Sequence, residues 1–425
     1  MEILTAVSSL PRLIPPIKDR PVPILLVEAQ DDAAPPPDDH AGAAEVRRVA
    51  NKWEDGLPET LTIDARRRSD AISVARVICI LGVVYVHAWT GLTGYDLQLA
   101  HGTPQENLRW VLMDVFGRSA VPLLGLISGW LVAGSSRTFD WASHVGRKAK
   151  TILLPMVLWN ALAILLVSGA AVATRLAAPT PQSLDWIFQE VFIASRNPDI
   201  NVQMPFLRDL FLCMLLAPLL VRCGKRTLLA IALVAAVCQI AGWGPPVFMR
   251  ASIPFFFTLG IIARRENLSD RIAAWPMIGA IAPFAVLTAV QLYFTLVVDW
   301  SPISLPAATL DLAVRISAAL AYWRISWGLA GTMVRRPLLK IEPFAFFLFC
   351  SHLILIWLGG PLLGRLFGTL GSPLYPVYLV TQPLIVLLAV ILLGTLLSRA
   401  APGPARILSG GRLSGKSTGK RLATA

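Results

Sequence analysis

The sequence predicts an all-α fold: a polytopic membrane helix bundle of about ten transmembrane helices with both termini cytoplasmic. Three observations carry that prediction. Apolar residues make up 55% of the 425 positions and charged residues only 15%, the balance of a membrane protein. The apolar residues fall into long runs, and a hydrocarbon core takes about 20 residues to cross. Lys and Arg outnumber the acids 38 to 26, yet they gather in short clusters between alternate runs. That is the pattern of positive-inside loops, not of a face that reads nucleic acid.

The runs lie at 72–93, 111–134, 151–173, 204–222, 227–244, 247–263, 273–298, 306–332, 342–366 and 374–397. Arg66, Arg67 and Arg68 precede the first. Arg147, Lys148 and Lys150 follow the second, Arg222, Lys225 and Arg226 the fourth, Arg264, Arg265 and Arg271 the sixth, and Arg335, Arg336 and Lys340 the eighth. The intervening loops are neutral or mildly acidic, as in TGYDLQLAHGTPQEN and VVDWSPIS, so an even number of helices is expected. The connection 174–203 is long enough to hold the amphipathic SLDWIFQEVFIAS as a helix on the outer face.

Residues 1–66 are rich in Pro, Ala and Asp, with DDAAPPPDDH inside them, and are expected to form a mostly disordered cytoplasmic extension without a cleaved signal. Residues 67–398 then form the transmembrane domain. Residues 399–425, with six basic residues and no acid, form a basic cytoplasmic tail. The five cysteines, Cys79, Cys213, Cys223, Cys238 and Cys350, sit in or beside apolar runs without metal-ligand spacing. They read as small buried hydrophobes, and no metal site is expected. Trp89, Tyr95, Trp110, Trp186 and Trp300, near outer ends, read as interface anchors.

The first run, ARVICILGVVYVHA (75–88), holds an arginine and a histidine where charge is costly. A charged group at mid-membrane costs about 2.5–3.5 kcal/mol on insertion scales, so it should face the bundle interior or a water-filled cavity. Arg76 and His87 are eleven residues apart; at 100° per residue the offset is about 20° after three turns, and the rise is about 16 Å. Both therefore project from one face of the helix. A snorkelling topology anchor and a hydrogen-bonded packing histidine explain the pair equally well on spacing alone. Histidine is nonetheless the side chain best suited to take a proton from a hydroxyl near neutral pH.

Arg, ten residues and His in the first run, with Gly-Val-Val before the His, resembles the acyltransferase-3 family of integral-membrane acyltransferases. Further matches follow in order: VPLLGLISGWLVAG (121–134), RKAKTILLP (147–155), PFLRDLFLCMLLAPLL (205–220), IPFFFTLGIIA (253–263) and LLKIEPFAFFLFCSHLILIW (338–357). They cover roughly 70–397. The chain departs from the family in having Ser73 where an Asp is frequent, so no acid function is carried onto Asp70. It also has Glu342-Pro343 where a Ser-Tyr pair usually opens the late motif. No hydrolase-like domain is expected after the bundle.

The resemblance implies a membrane-bound O-acyltransferase. It would move an acyl group, acetyl being the expected one and succinyl an alternative, from a cytoplasmic acyl-CoA to a hydroxyl of a cell-surface or exported polysaccharide. Cellulose or another exopolysaccharide, an O-chain and a periplasmic glucan are the candidate acceptors. His87 would act as general base, with an acyl relay as its alternative, and Arg76 would steady the donor or the oxyanion. Arg147, Lys148 and Lys150 would hold the phosphates of coenzyme A; plain positive-inside charge is their other explanation. Ser128-Gly129 suits close helix packing. Arg208 and Asp209 are expected near the outer mouth, touching the acceptor or pairing with other charges, and His352 is expected as a packing group. Acetyl-CoA is a substrate on this reading, with no permanently bound cofactor. The partners are membrane lipid, the glycan and, compatibly, a polysaccharide synthase or export complex, with no nucleic acid; the place is the inner (plasma) membrane. A polytopic transporter or a non-catalytic component of a glycan synthesis or export complex is the rival reading. The chain lacks the repeat symmetry a transporter predicts.

Overall fold

The computed structural model describes residues 59–87, 102–174, 176–298, 300–301 and 304–413. Among them the only regular structure is helical: α1 (Glu59–Val86), α2 (Pro104–Ala133), α3 (Trp141–Thr174), α4 (Leu184–Phe192), α5 (Pro205–Leu220), α6 (Lys225–Ala241), α7 (Ser252–Arg265), α8 (Leu268–Ala273), α9 (Met277–Leu296), α10 (Leu305–Leu329), α11 (Arg335–Phe367), α12 (Tyr375–Ala400) and α13 (Pro402–Leu408). Seven of these helices, α1, α2, α3, α9, α10, α11 and α12, are long and apolar enough to cross a membrane. The protein is thus a multi-pass, membrane-embedded helical bundle. The predicted fourth, fifth and sixth runs fold as α5, α6 and α7, of only 16, 17 and 14 residues. At 1.5 Å per residue they reach about 21–26 Å, short of a ~30 Å hydrocarbon core.

Local chemistry sets the helix ends. Thr103 Oγ1 accepts from Glu106 N (3.3 Å) and Pro104 opens α2; Ser304 Oγ accepts from Ala307 N (3.4 Å) and Pro306 follows at the start of α10. Gly242, at φ 72°, closes α6 in the left-handed conformation a side chain disfavours. In α4, Ser183 caps the start by accepting from Trp186 N (3.0 Å), and Ile193 at φ 54° ends it. Its Leu184 and Phe188 stay exposed while Trp186, Gln189 and Glu190 are buried, so the amphipathic helix expected in this connection is present. Trp186 is not an interface anchor, however. It is 2% exposed and donates Nε1–H to Asp199 Oδ2 at 2.7 Å, a bond that ties the connection to itself. Trp110 and Trp300 are half-buried, and Trp89 and Tyr95 lie outside the described residues.

α1 is the central helix: Ala71, Val74, Ala75, Cys79 and Val84 are fully buried, and α2, α10, α11 and α12 all pack on it. It begins at Glu59, earlier than the run at 72, so the expected extension of 1–66 is helical from Glu59 on, and 1–58 lie outside the described residues. α9 is peripheral, with only 6% of its apolar window buried. Beyond α12 the chain packs back on the bundle instead of leaving it as a free tail. Trp159 Nε1–H donates to Leu408 O (2.9 Å), and the Arg412 guanidinium lies 4.2 Å from the Phe346 ring centroid. The remainder of the tail, 414–425, lies outside the described residues.

The tightest crossing joins α2 to α7. A Cβ on Gly129 would run into the Phe257 carbonyl, and one on Gly260 into the Leu126 carbonyl. These are backbone atoms that cannot swing aside, which is why small residues stand at such crossings. Gly129→Ala and Gly260→Ala are each expected to destabilise the protein by about 1–3 kcal/mol through overpacking. Thermal denaturation of the purified protein in detergent measures this, and unchanged midpoints would refute the reading.

Candidate functional site

α1 and α11 run parallel, side by side, and three polar pairs span the seam. Arg335 Nη1 donates to Asp70 Oδ2 at 2.9 Å. About two turns further on, Arg76 Nη1 donates to Glu342 Oε1 at 3.3 Å. At the far end the His87 and His352 rings stand 5.4 Å apart, tilted by 36°. The single face of α1 that carries Arg76 and His87 is therefore the face against α11. Glu342 sits immediately before Pro343, inside the helix, where the missing N–H leaves the backbone of that turn less constrained.

His352 is fully buried, and its Nδ1 lies 2.9 Å from Phe349 O and 3.1 Å from Leu348 O. Carbonyl oxygens only accept, so Nδ1 carries the proton and Nε2 presents a bare lone pair. That Nε2 is buried and has no hydrogen-bond partner. A packing histidine with both nitrogens satisfied would look different.

His87 opens onto a cavity of about 570 Å³. Val83, Val86 and His87 of α1 form one side, Gln203 and Phe206 the approach to α5, and the connection 242–251 between α6 and α7 another. Arg118, Arg250 and Arg315 also stand on this wall. The cavity exists because the bundle is locally irregular beside it. α2 winds as a π-helix over Val111–Gly117 and as a 3-10 turn over Arg118–Ala120 before resuming at Val121. Such a change of winding re-aims side chains, and it is frequent at functional sites. At Gly117 an added Cβ would stand 2.6 Å from Val86 Cγ2 and 2.8 Å from the Gly82 carbonyl. Only glycine lets α2 approach α1 one residue from His87.

The sequence of the chain matches one family model, described as an acyltransferase domain, over residues 69–399. The chain belongs to the acyltransferase-3 family. It is also similar to the succinoglycan biosynthesis protein ExoH of Rhizobium meliloti (strain 1021), at 30% identity over 383 residues, covering 84% of this chain and 95% of that protein. No solved structure matches it. The protein is therefore an acyltransferase.

Within this acyltransferase domain the five expected site residues do not all meet. Arg76 and His87 share the α1–α11 seam, but only His87 reaches the cavity. Arg147, Lys148 and Lys150 sit at the start of α3, Arg147 and Lys148 half-buried and Lys150 exposed, and none is on the cavity wall. Arg208 and Asp209 pair with each other at 2.8 Å. Arg208 also donates to the Pro246 and Val247 carbonyls (both 2.8 Å), while fully buried Asp209 accepts from Met249 N (3.2 Å) and Arg250 N (2.8 Å). That pair is a clamp on the connection that lines the cavity. Cys79, Cys213 and Cys350 are buried and Cys223 and Cys238 half-buried, Cys238 being on the cavity wall. Glu342, His352 and the three arginines were not singled out as site residues by sequence. His352 had a signal, as the end of the late family motif, but Arg118 and Arg315 look in sequence like ordinary i,i+4 partners of acids.

Arg76→Met and Glu342→Met, each removing one side of the seam ion pair, are expected to lower stability by about 1–3 kcal/mol, a loss moderated because Arg76 is partly exposed. The double replacement should recover most of that loss without recovering activity. Unfolding midpoints of the four proteins measure it; additive losses in the double variant would show that the pair is not coupled.

Proposed function

We propose that this acyltransferase moves an acyl group from a cytoplasmic acyl-CoA to a hydroxyl of a cell-surface or exported polysaccharide, with His87 as general base. The observation that carries the reading is His87 on the wall of a cavity, backed by a second histidine, in a chain whose family transfers acyl groups. The polysaccharide class of the acceptor is supported by ExoH, named for succinoglycan biosynthesis. Acetyl is retained as the acyl group of first choice.

The chemistry follows from these side chains. Neutral His87 takes the proton of the acceptor hydroxyl as its oxygen attacks the thioester carbonyl. The tetrahedral oxyanion collapses, the C–S bond breaks, and the coenzyme A thiolate leaves and receives the proton back from His87. The products are an ester and free thiol. His352, its Nδ1–H held by two carbonyls, keeps a lone pair toward the interior that favours an N–H on its neighbour; it acts as a positioning residue. Arg147, Lys148 and Lys150 suit coenzyme A phosphates, with Arg76 between that end and His87. In this reading the protein lies in the inner membrane with the basic ends of its helices and both termini in the cytoplasm, by the positive-inside rule.

Acyl content of the surface polysaccharide in a deletion strain tests the proposal. Complementation with wild type should restore acylation, and His87→Ala should cut transfer by about 10²–10⁴-fold at unchanged membrane abundance. His352→Ala should cut it less. Full acylation with His87→Ala, or none with wild type, overturns the reading.

A further inference from the structure

The acyl-transfer step needs one base and a donor for one transient oxyanion. The cavity beside His87 carries far more positive charge than that: Arg118 from the 3-10 turn of α2, Arg250 from the connection before α7 and Arg315 from α10, with no Asp or Glu on the wall among the described residues. The three guanidiniums act on one another electrostatically, since Arg315 and Arg118 both bear on Arg250, and Arg250 and Arg118 both bear on His87.

Two of the three are balanced from behind. Arg118 Nη1 is 2.8 Å from Asp114 Oδ1, and Arg315 Nε is 2.6 Å from Asp311 Oδ2. The Arg250 guanidinium makes no salt bridge to an acid among the described residues. Asp209 acts on it electrostatically and accepts its backbone N–H, but its carboxylate is paired with Arg208. Among the described residues, three cations against two salt-bridged carboxylates, 3 − 2, leave one positive charge without a salt bridge facing the cavity. A second observation points the same way. Gln203, 6% exposed and on the same wall, spends its Nε2 on Phe349 O (3.4 Å) and leaves Oε1 buried without a partner, an acceptor fit for a hydroxyl.

Resting on the acyl-transfer reading, we propose that this cavity is a carboxylate-selective substrate pocket. Arg250, flanked by Arg118 and Arg315, holds a carboxylate carried by one of the two substrates. One unbalanced charge matches one carboxylate, and the guanidinium fork matches its two oxygens. The carboxylate comes either from the far end of a dicarboxylic acyl group or from an acidic sugar of the acceptor.

The experiment uses the full-length protein in lipid nanodiscs, as wild type, Arg250→Gln and Arg250→Lys. Two donors of equal chain length, butyryl-CoA and succinyl-CoA, are compared on one acceptor, and a neutral and a uronic-acid oligosaccharide are compared with one donor. Wild type should favour the carboxylate-bearing member of one pair by about tenfold or more, and that pair identifies the source. Arg250→Gln should reduce the preference to about twofold or less, mainly by raising KM, with Arg250→Lys in between. Turnover without preference in wild type, or a preference that survives Arg250→Gln, overturns the pocket while leaving acyl transfer standing. The pocket is also read without turnover. Monomethyl succinate should slow alkylation of Cys238 by iodoacetamide, followed by mass spectrometry, where methyl butyrate does not, and Arg250→Gln should abolish the protection. Equal or absent protection by the two esters in wild type overturns the proposal, even if no acyl transfer is detected.

Discussion

A charge inside a lipid-embedded bundle must find a partner, and the Arg76–Glu342 pair is where this protein meets that demand. Arg76 sits on the central helix, where a guanidinium facing the bundle interior needs a counter-charge. Its partner lies 266 positions along the chain, on α11. The bond therefore fixes more than a charge: it sets the register of α11 against α1. With that register fixed, Asp70 meets Arg335 at one end and His87 meets His352 at the other. A slide of one turn along the seam, about 5.4 Å, would break both salt bridges and part the two imidazoles together.

The seam alone would be a closed, dry contact. What opens it beside His87 is irregular backbone on the neighbouring elements. The π and 3-10 turns of α2 bring Gly117 against α1 and turn Arg118 toward the cavity. α6 and α7 stop short and leave the 242–251 connection to form a wall. The backbone of that connection is largely non-helical and must find its hydrogen-bond partners outside itself. Here the Arg208–Asp209 clamp satisfies it, taking two carbonyls and two N–H groups of that connection. The short helices, the clamp and the cavity are one arrangement.

Much of this was legible in the sequence and some was not, for definable reasons. The apolar runs predicted every long helix, because lipid imposes length and composition locally. The 1100° between Arg76 and His87 predicted their common face. The partners on that face were beyond reach, since Glu342 and His352 meet α1 only through tertiary packing. Trp186 was misread because tryptophan near a helix end marks an interface in most membrane proteins, whereas here Asp199, thirteen residues on, offers it a buried acceptor. Arg118 and Arg315 hid behind their i,i+4 acids, and only the fold reveals that both point at the cavity that Arg250 faces.

The distribution of balanced and unbalanced charge then locates the chemistry. Along the seam each cation has its anion, so the interior between Arg335 and Glu342 is electrostatically closed. Around the cavity the compensation among the described residues is incomplete by one charge, and Gln203 Oε1 on its wall is left without a partner. Buried polar groups are normally satisfied because an unmade bond costs about 1–3 kcal/mol. A cavity that presents the Arg250 guanidinium and the unpartnered Gln203 amide oxygen suits a substrate that brings a carboxylate and a hydroxyl. The seam holds the bundle together, and the deficit at its open end is what a substrate completes.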